Sequence, residues 1–116
     1  MADVQELTKV EEWKRLLAES ENTPVMLIKH STRCPISAEA HDEFLKHVHV
    51  EALPGVRYAR VLVVENRTVS NAVAEDTGVK HESPQVLLLK NGASVWTTSH
   101  WRITAAALKE LASRLD

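Results

Sequence analysis

Apolar positions along the chain change period several times, and each change predicts an element. Val10, Trp13, Leu16 and Leu17 recur at three- and four-residue spacing, which predicts an amphipathic helix. Thr8-Lys9-Val10-Glu11 at its start reads as a capping box, with the Thr8 hydroxyl and the Glu11 carboxylate each accepting from a free backbone amide. Pro24 ends the linker behind that helix. Val25-Met26-Leu27-Ile28 is then a continuous apolar run between Pro24 and polar Lys29 to Arg33, the pattern of a strand covered on both faces. Ile36, Ala40, Phe44 and Val48 recur every four residues and predict a helix that runs to about His49. Cys34-Pro35 opens it, because proline is favoured at the first helical position, where its missing N–H costs nothing.

Leu53-Pro54-Gly55 is a turn signal, and Val56 to Val64 is rich in β-branched residues, so a second buried strand is expected there. Thr68 to Thr77 reads as a short helix stopped by Gly78. Val86 to Leu89 and Ala93 to Thr98 flank Asn91-Gly92, a pair that adopts the left-handed turn of an antiparallel hairpin. Thr104 caps a last helix with Ala107, Leu108, Leu111, Ala112 and Leu115 as its apolar members. Val4 to Leu7 stays open between an opening strand and a helix lead-in. The order is (β)αβαβαββα. Strands separated by helices become parallel neighbours and the final hairpin adds antiparallel ones. This is the thioredoxin-like order, an α/β fold whose mixed sheet has helices on both faces.

At 116 residues, with no repeat, low-complexity stretch or linker, the chain is expected to form one domain over residues 1–116. It is 44% hydrophobic and 26% charged, which excludes wholesale disorder. No apolar run approaches the ~18 residues of a membrane span. The opening Met1-Ala2-Asp3-Val4-Gln5-Glu6 lacks the basic start and apolar stretch of an export signal, so a cytoplasmic protein is expected. A formal charge of −2 offers no electrostatic footprint for nucleic acid. The single cysteine excludes an internal disulfide and a cysteine-rich zinc site.

That cysteine carries the most pointed chemistry. Cys34 stands where a strand gives way to a helix, and the unpaired amides of a first helical turn favour negative charge. The thiolate is the reactive form of cysteine, and Arg33 adds a cation beside it. The bland alternative is a small buried cysteine. Ser37 occupies the place of the second thiol in a dithiol oxidoreductase, giving Cys34-Pro35-Ile36-Ser37. Such a site can attack a disulfide and carry one half of it, but an external agent must remove that half. Ser83-Pro84 lies just before the hairpin, opposite the thiol-bearing helix start in this topology. A cis bond is expected there, turning the Ser83 backbone toward an incoming disulfide. His81, three residues before Pro84, is expected to approach the thiol. His30, His41, His81 and His100 follow no metal spacing, so no metal site is predicted.

Four segments together resemble a known family: Lys29-His30-Ser31-Thr32-Arg33-Cys34-Pro35-Ile36-Ser37, Asn66-Arg67-Thr68-Val69-Ser70-Asn71, His81-Glu82-Ser83-Pro84-Gln85 and Ser99-His100-Trp101-Arg102-Ile103-Thr104. The family is that of the monothiol bacilliredoxins, YtxJ-like proteins with a thioredoxin fold, and the likeness runs from about Thr8 to the C-terminus. The resemblance implies removal of bacillithiol, a low-molecular-weight thiol, from proteins disulfide-linked to it. It makes Cys34 the attacking residue and Ser83-Pro84 the cis-proline loop. Apart from the resemblance, Arg33, Ser37 and His81 are expected to bind substrate from their places near these residues. The resemblance implies no tightly bound cofactor. Bacillithiol is the co-substrate, bacillithiolated client proteins are the partners, and a disulfide reductase is a further route of recycling. Arg33 departs from the family's threonine before the cysteine. Two other readings stay open: a client-binding or redox-sensing module built around Cys34 and Trp101, and a metal or iron–sulfur carrier using Cys34 with an external thiol.

Overall fold

The computed structural model describes residues 3–111 and 115. The elements are β1 (Val4–Glu6), α1 (Val10–Glu19), β2 (Val25–His30), α2 (Pro35–Glu51), β3 (Arg57–Leu62), α3 (Arg67–Thr77), β4 (Gln85–Lys90), β5 (Ala93–Ser99), a 3-10 turn (His100–Arg102) and α4 (Ala105–Lys109). The five strands form one sheet in the order β1-β3-β2-β4-β5. β3 runs parallel to both β1 and β2, because helices carry the chain back between them. β4 runs antiparallel to β2, and β5 antiparallel to β4. The open question at Val4 to Leu7 resolves as a strand, with Val4 opposite Tyr58.

Two cores sit on the two faces of the sheet, as alternation along β2 dictates. Met26 and Ile28 pack with Phe44 and Val48 of α2 and with Leu108 of α4. Val25 and Leu27 pack with Trp13 and Leu16 of α1 and with Val69 and Val73 of α3. Phe44 is wholly buried, and truncating it to alanine would cost roughly 3–5 kcal/mol through lost burial and an unfilled cavity. Gly78 ends α3 at φ +72 and donates its amide to the Ala74 carbonyl, a left-handed stop that suits glycine. Asn91 and Gly92, at φ +55 and +77, make the tight turn of the hairpin. Thr104 accepts from the Ala107 amide at 3.1 Å and caps α4 as expected.

Several boundaries differ from the sequence expectation. β2 extends two residues past Ile28 through Lys29 and His30, both buried. β3 spans Arg57–Leu62, short of Val56 to Val64 at both ends, and α2 runs two residues beyond His49. The capping box is displaced by one residue. Lys9 is the N-cap, and Glu12, rather than Glu11, accepts from the amides of Thr8 and Lys9 at 2.9 and 3.1 Å. The Thr8 hydroxyl donates to that same carboxylate instead of accepting from the backbone. In the last helix Ala112 lies outside the described residues, and Leu115 packs part-buried on the α2 side of the sheet. No helix among the described residues is long and apolar enough to cross a membrane.

Candidate active site

Cys34 is the N-cap of α2, with extended backbone angles of φ −117 and ψ 121, and Pro35 takes the first helical position. Its thiol is free and half-buried. The loop from β2 is short and internally tied. Cys34 donates its amide to the Ser31 carbonyl at 3.3 Å, and its own carbonyl accepts from Ala38 at 3.0 Å. The Thr32 hydroxyl donates to Glu65 at 2.8 Å, anchoring the loop to the connection between β3 and α3. That bond is the main cause holding the Glu65 carboxyl below its usual range. Arg33 is exposed.

Ser37 lies one turn into α2 and is wholly buried. Its oxygen accepts the Ser31 amide at 2.9 Å and lies 2.8 Å from Nδ1 of His30. The serine therefore faces the loop that carries Cys34, not solvent. Behind it, the His30 and His41 rings stack with centroids 4.3 Å apart. Arg60 donates to Nε2 of His41 at 2.9 Å and to Glu6 at 2.6 Å. Burial lowers the pKa of both imidazoles; His41, with further help from His30 and Arg60, falls to about 4. Neutral rings thus line the underside of the first two turns of α2. The signal for the cluster is the four-residue spacing of Ser37 and His41, which puts both on one helix face above the end of β2.

Lys29 pairs with Gln85 across β2 and β4, so the start of β4 lies beside the end of the strand that leads to Cys34. The Ser83–Pro84 peptide bond preceding β4 is cis. Pro84 is buried and its carbonyl accepts from the His100 amide at 3.1 Å. His100 holds φ +55, a region that costs a non-glycine residue roughly 1–2 kcal/mol. The 3-10 turn it opens leaves Trp101 75% exposed. Between that turn and α2 lies a groove of about 380 Å³ lined by Ile36, Ala40, Glu43, Trp101, Ile103 and Thr104. Ile36, two residues after Cys34 in the chain, lines one wall of this groove. The Ser83 hydroxyl is shielded from solvent and has no hydrogen-bond partner among the described residues.

Lys29 itself is wholly buried, and its Nζ lies 3.0 Å from Nδ1 of exposed His81. Among the described residues, no three or more His, Cys, Asp or Glu side chains converge as a metal set. The structure thus gathers Cys34 with Arg33 and Ser37 at the start of α2, and sets the His81-to-Pro84 loop at the same end of the sheet. Lys29, His30, His41 and Arg60 join them, although the sequence carries no expectation of a catalytic or substrate-binding role for these four.

A half-buried lone thiol at a helix start, at the same end of the sheet as a cis-proline loop, is an arrangement suited to thiol–disulfide exchange. Comparison with known proteins agrees. The chain is similar to a solved proposed oxidoreductase with a thioredoxin fold, at 33% identity and a TM-score of 0.80, over 92% of this chain and 91% of that one. The Malassezia sympodialis thioredoxin shares the fold at 18% identity and TM-score 0.76, covering 98% of this chain and 91% of that one. The Fasciola hepatica thioredoxin does so at 16% identity and TM-score 0.75, covering 97% of this chain and 100% of that one. Residues 5–108 match the family model described as monothiol bacilliredoxin BrxC. With nearly the whole chain matched and its one thiol at the start of α2, this thiol-redox protein belongs to the monothiol bacilliredoxin family.

Proposed function

We propose that the protein removes bacillithiol from client proteins that carry it as a mixed disulfide. The Cys34 thiolate attacks the bacillithiol sulfur. A disulfide forms between Cys34 and bacillithiol as the client's own bond breaks, and the client leaves as a thiolate that takes a proton from water. A second bacillithiol thiolate then attacks the adduct, releasing Cys34 and forming bacillithiol disulfide; a disulfide reductase is the alternative route. Backbone groups of Ser83 align the incoming disulfide while Pro84 shapes the loop. Arg33 attracts the malyl carboxylates of bacillithiol, and His81 contacts the substrate from the loop before Pro84. Ser37 keeps the Cys34 loop in place and takes no part in resolution. The exchange needs no metal or tightly bound cofactor, and a reducing cytoplasm would supply the thiol.

One observation carries this reading: the chain's only thiol caps α2 while a buried serine fills the place of a second one. Incubation with a bacillithiolated client, followed by intact mass of both proteins, tests it. The client should lose the bacillithiol mass as Cys34 gains it. A client that keeps its adduct would end the proposal. The exposure of Trp101 beside the groove favours a second reading, a client-docking module in which Cys34 only senses redox state. In that case Cys34→Ser would bind clients as the parent does, and the parent would show no turnover.

A further inference from the structure

Lys29 is an anomalous side chain. It is 0% exposed on a central strand, although a lysine is almost never fully buried without a paired charge. Neighbouring backbones are Gln85 on β4 and Val61 on β3, and alternation puts it on the face of Val25 and Leu27, beneath α1 and α3. No described carboxylate forms an ion pair with it. Its partner is an imidazole nitrogen, Nδ1 of His81, at 3.0 Å. The Ser70 hydroxyl of α3 stands 3.4 Å from that same nitrogen.

The chemistry of the pair is one-directional. Burial lowers the Lys29 pKa to about 8, which leaves it mainly an ammonium at neutral pH. An ammonium has donors and no acceptor. Nδ1 of His81 must therefore accept, and the ring proton of the neutral imidazole sits on Nε2. Burial, Lys29 and Arg67 all hold His81 below its usual pKa, with Glu82 opposing them, so the ring is neutral at pH 7. His81 lies three residues before Pro84, and Lys29 five before Cys34. The bond thus ties the strand leading to the thiol to the loop leading to the cis-proline.

We propose that Lys29 is a positioning residue, whose bond to Nδ1 leaves Nε2–H of His81 as the free ring position and orients it as a donor to the disulfide under attack by Cys34. This rests on the disulfide-exchange reading and adds to it the residue that sets the donor. No proton is transferred in the step. The donor bond shortens as charge develops on the leaving sulfur, and that thiolate is protonated by water afterwards.

Nitrogen-15 NMR of the His81 ring, together with exchange kinetics, tests the proposal. At pH 7 the wild-type ring should be neutral with its proton on Nε2. Lys29→Met removes the donor while keeping the bulk and relieves the desolvation of a buried amine that has no carboxylate partner, so the fold should persist. In that variant the His81 pKa should rise and the tautomers should mix, whereas Lys29→Arg should retain the wild-type signature. Attack on a bacillithiolated client should slow roughly tenfold in Lys29→Met, about the worth of one hydrogen bond to a developing charge. His81→Phe should slow it equally, and the double variant no further. A proton on Nδ1 in the wild type, or a His81 signature unmoved by Lys29→Met, would overturn the positioning role whatever the activity. Changed spectra with unchanged rates would overturn the donor role. Absence of any wild-type attack on the client would instead sink the functional reading and leave the NMR result standing.

Discussion

The Ser37 hydroxyl oxygen takes the Ser31 amide hydrogen and lies 2.8 Å from Nδ1 of His30, so the residue three places after Cys34 is a brace for the cysteine loop. A wholly buried oxygen with two partners is committed to structure. Removing it would strand both a backbone N–H and an imidazole nitrogen away from water.

Ser37→Ala should therefore lose about 1–3 kcal/mol of stability, the cost of orphaned buried polar groups. The thermal midpoint should fall on the order of 5–10 °C, while a substantial part of the exchange activity remains. Cys34→Ser should show the converse, a parental melting curve with no exchange. Melting and turnover of the two variants side by side check this. If Ser37→Ala were as inactive as Cys34→Ser while still folded, the serine would have a direct chemical role.

Arg33→Thr isolates one charge beside the thiol. Arg33 is exposed, and an exposed charge contact is worth ~0.2–1 kcal/mol and weakens with salt. Attack on bacillithiolated clients should slow up to several-fold at low salt, with the gap closing as salt rises. A neutral mixed disulfide should feel the change less. Rates on both substrates at a low and a high salt concentration check this; equal rates for both proteins throughout would mean that Arg33 contributes nothing to substrate attraction.

The neutral His41 ring gives stability an acid dependence with a defined sign. Arg60 donates to it, and His30 stacks on it, so a proton there would meet a guanidinium. Burial first, then His30 and Arg60, lower its pKa from 6.5 to about 4, with Asp42 opposing. Between those values the unfolded chain binds more protons, so stability should decrease as pH drops through that window. His41→Gln keeps an acceptor for Arg60 and should flatten the decline. Thermal midpoints at closely spaced pH values decide the matter; identical slopes would assign the dependence to other groups.

Trp101→Ala should separate protein clients from small disulfides. The side chain is 75% exposed at the edge of the groove beside Ile36, so its loss should leave melting unchanged. An exposed aromatic that anchors a partner commonly carries a large share of the binding energy. KM for a protein mixed disulfide should rise on the order of tenfold, with a small disulfide within about twofold. A proportional effect on both substrates would remove Trp101 from client recognition.

The elements with strong periodicity were legible in the chain. α1 and α2 follow their apolar spacing, α3 stops at Gly78, and Asn91-Gly92 marks the hairpin because few other pairs tolerate two left-handed residues. What escaped was tertiary. Lys29 and His30 look like the polar end of a strand, yet the sheet continues through them because β3 and β4 supply partners on both sides. Glu12 displaced Glu11 in the cap because only its carboxylate reaches the amides of both Thr8 and Lys9. The 3-10 turn at His100 has no glycine or proline to announce it, and its positive φ accompanies the tie between the His100 amide and Pro84. At the site, Cys34, Ser37 and the Ser83–Pro84 loop could be named from their motifs. The Lys29–His81 pair needed three dimensions, since its members stand 52 residues apart.

A chain with one thiol, and with a buried hydroxyl where a second would be, cannot close an oxidised form on itself. Each disulfide it forms joins it to another molecule, either a small thiol or another protein chain. The oxidised protein is consequently a record of its last encounter. Its intact mass, taken from cells quenched with acid and alkylating agent, would identify which thiol was bound to it at that moment and in what proportion.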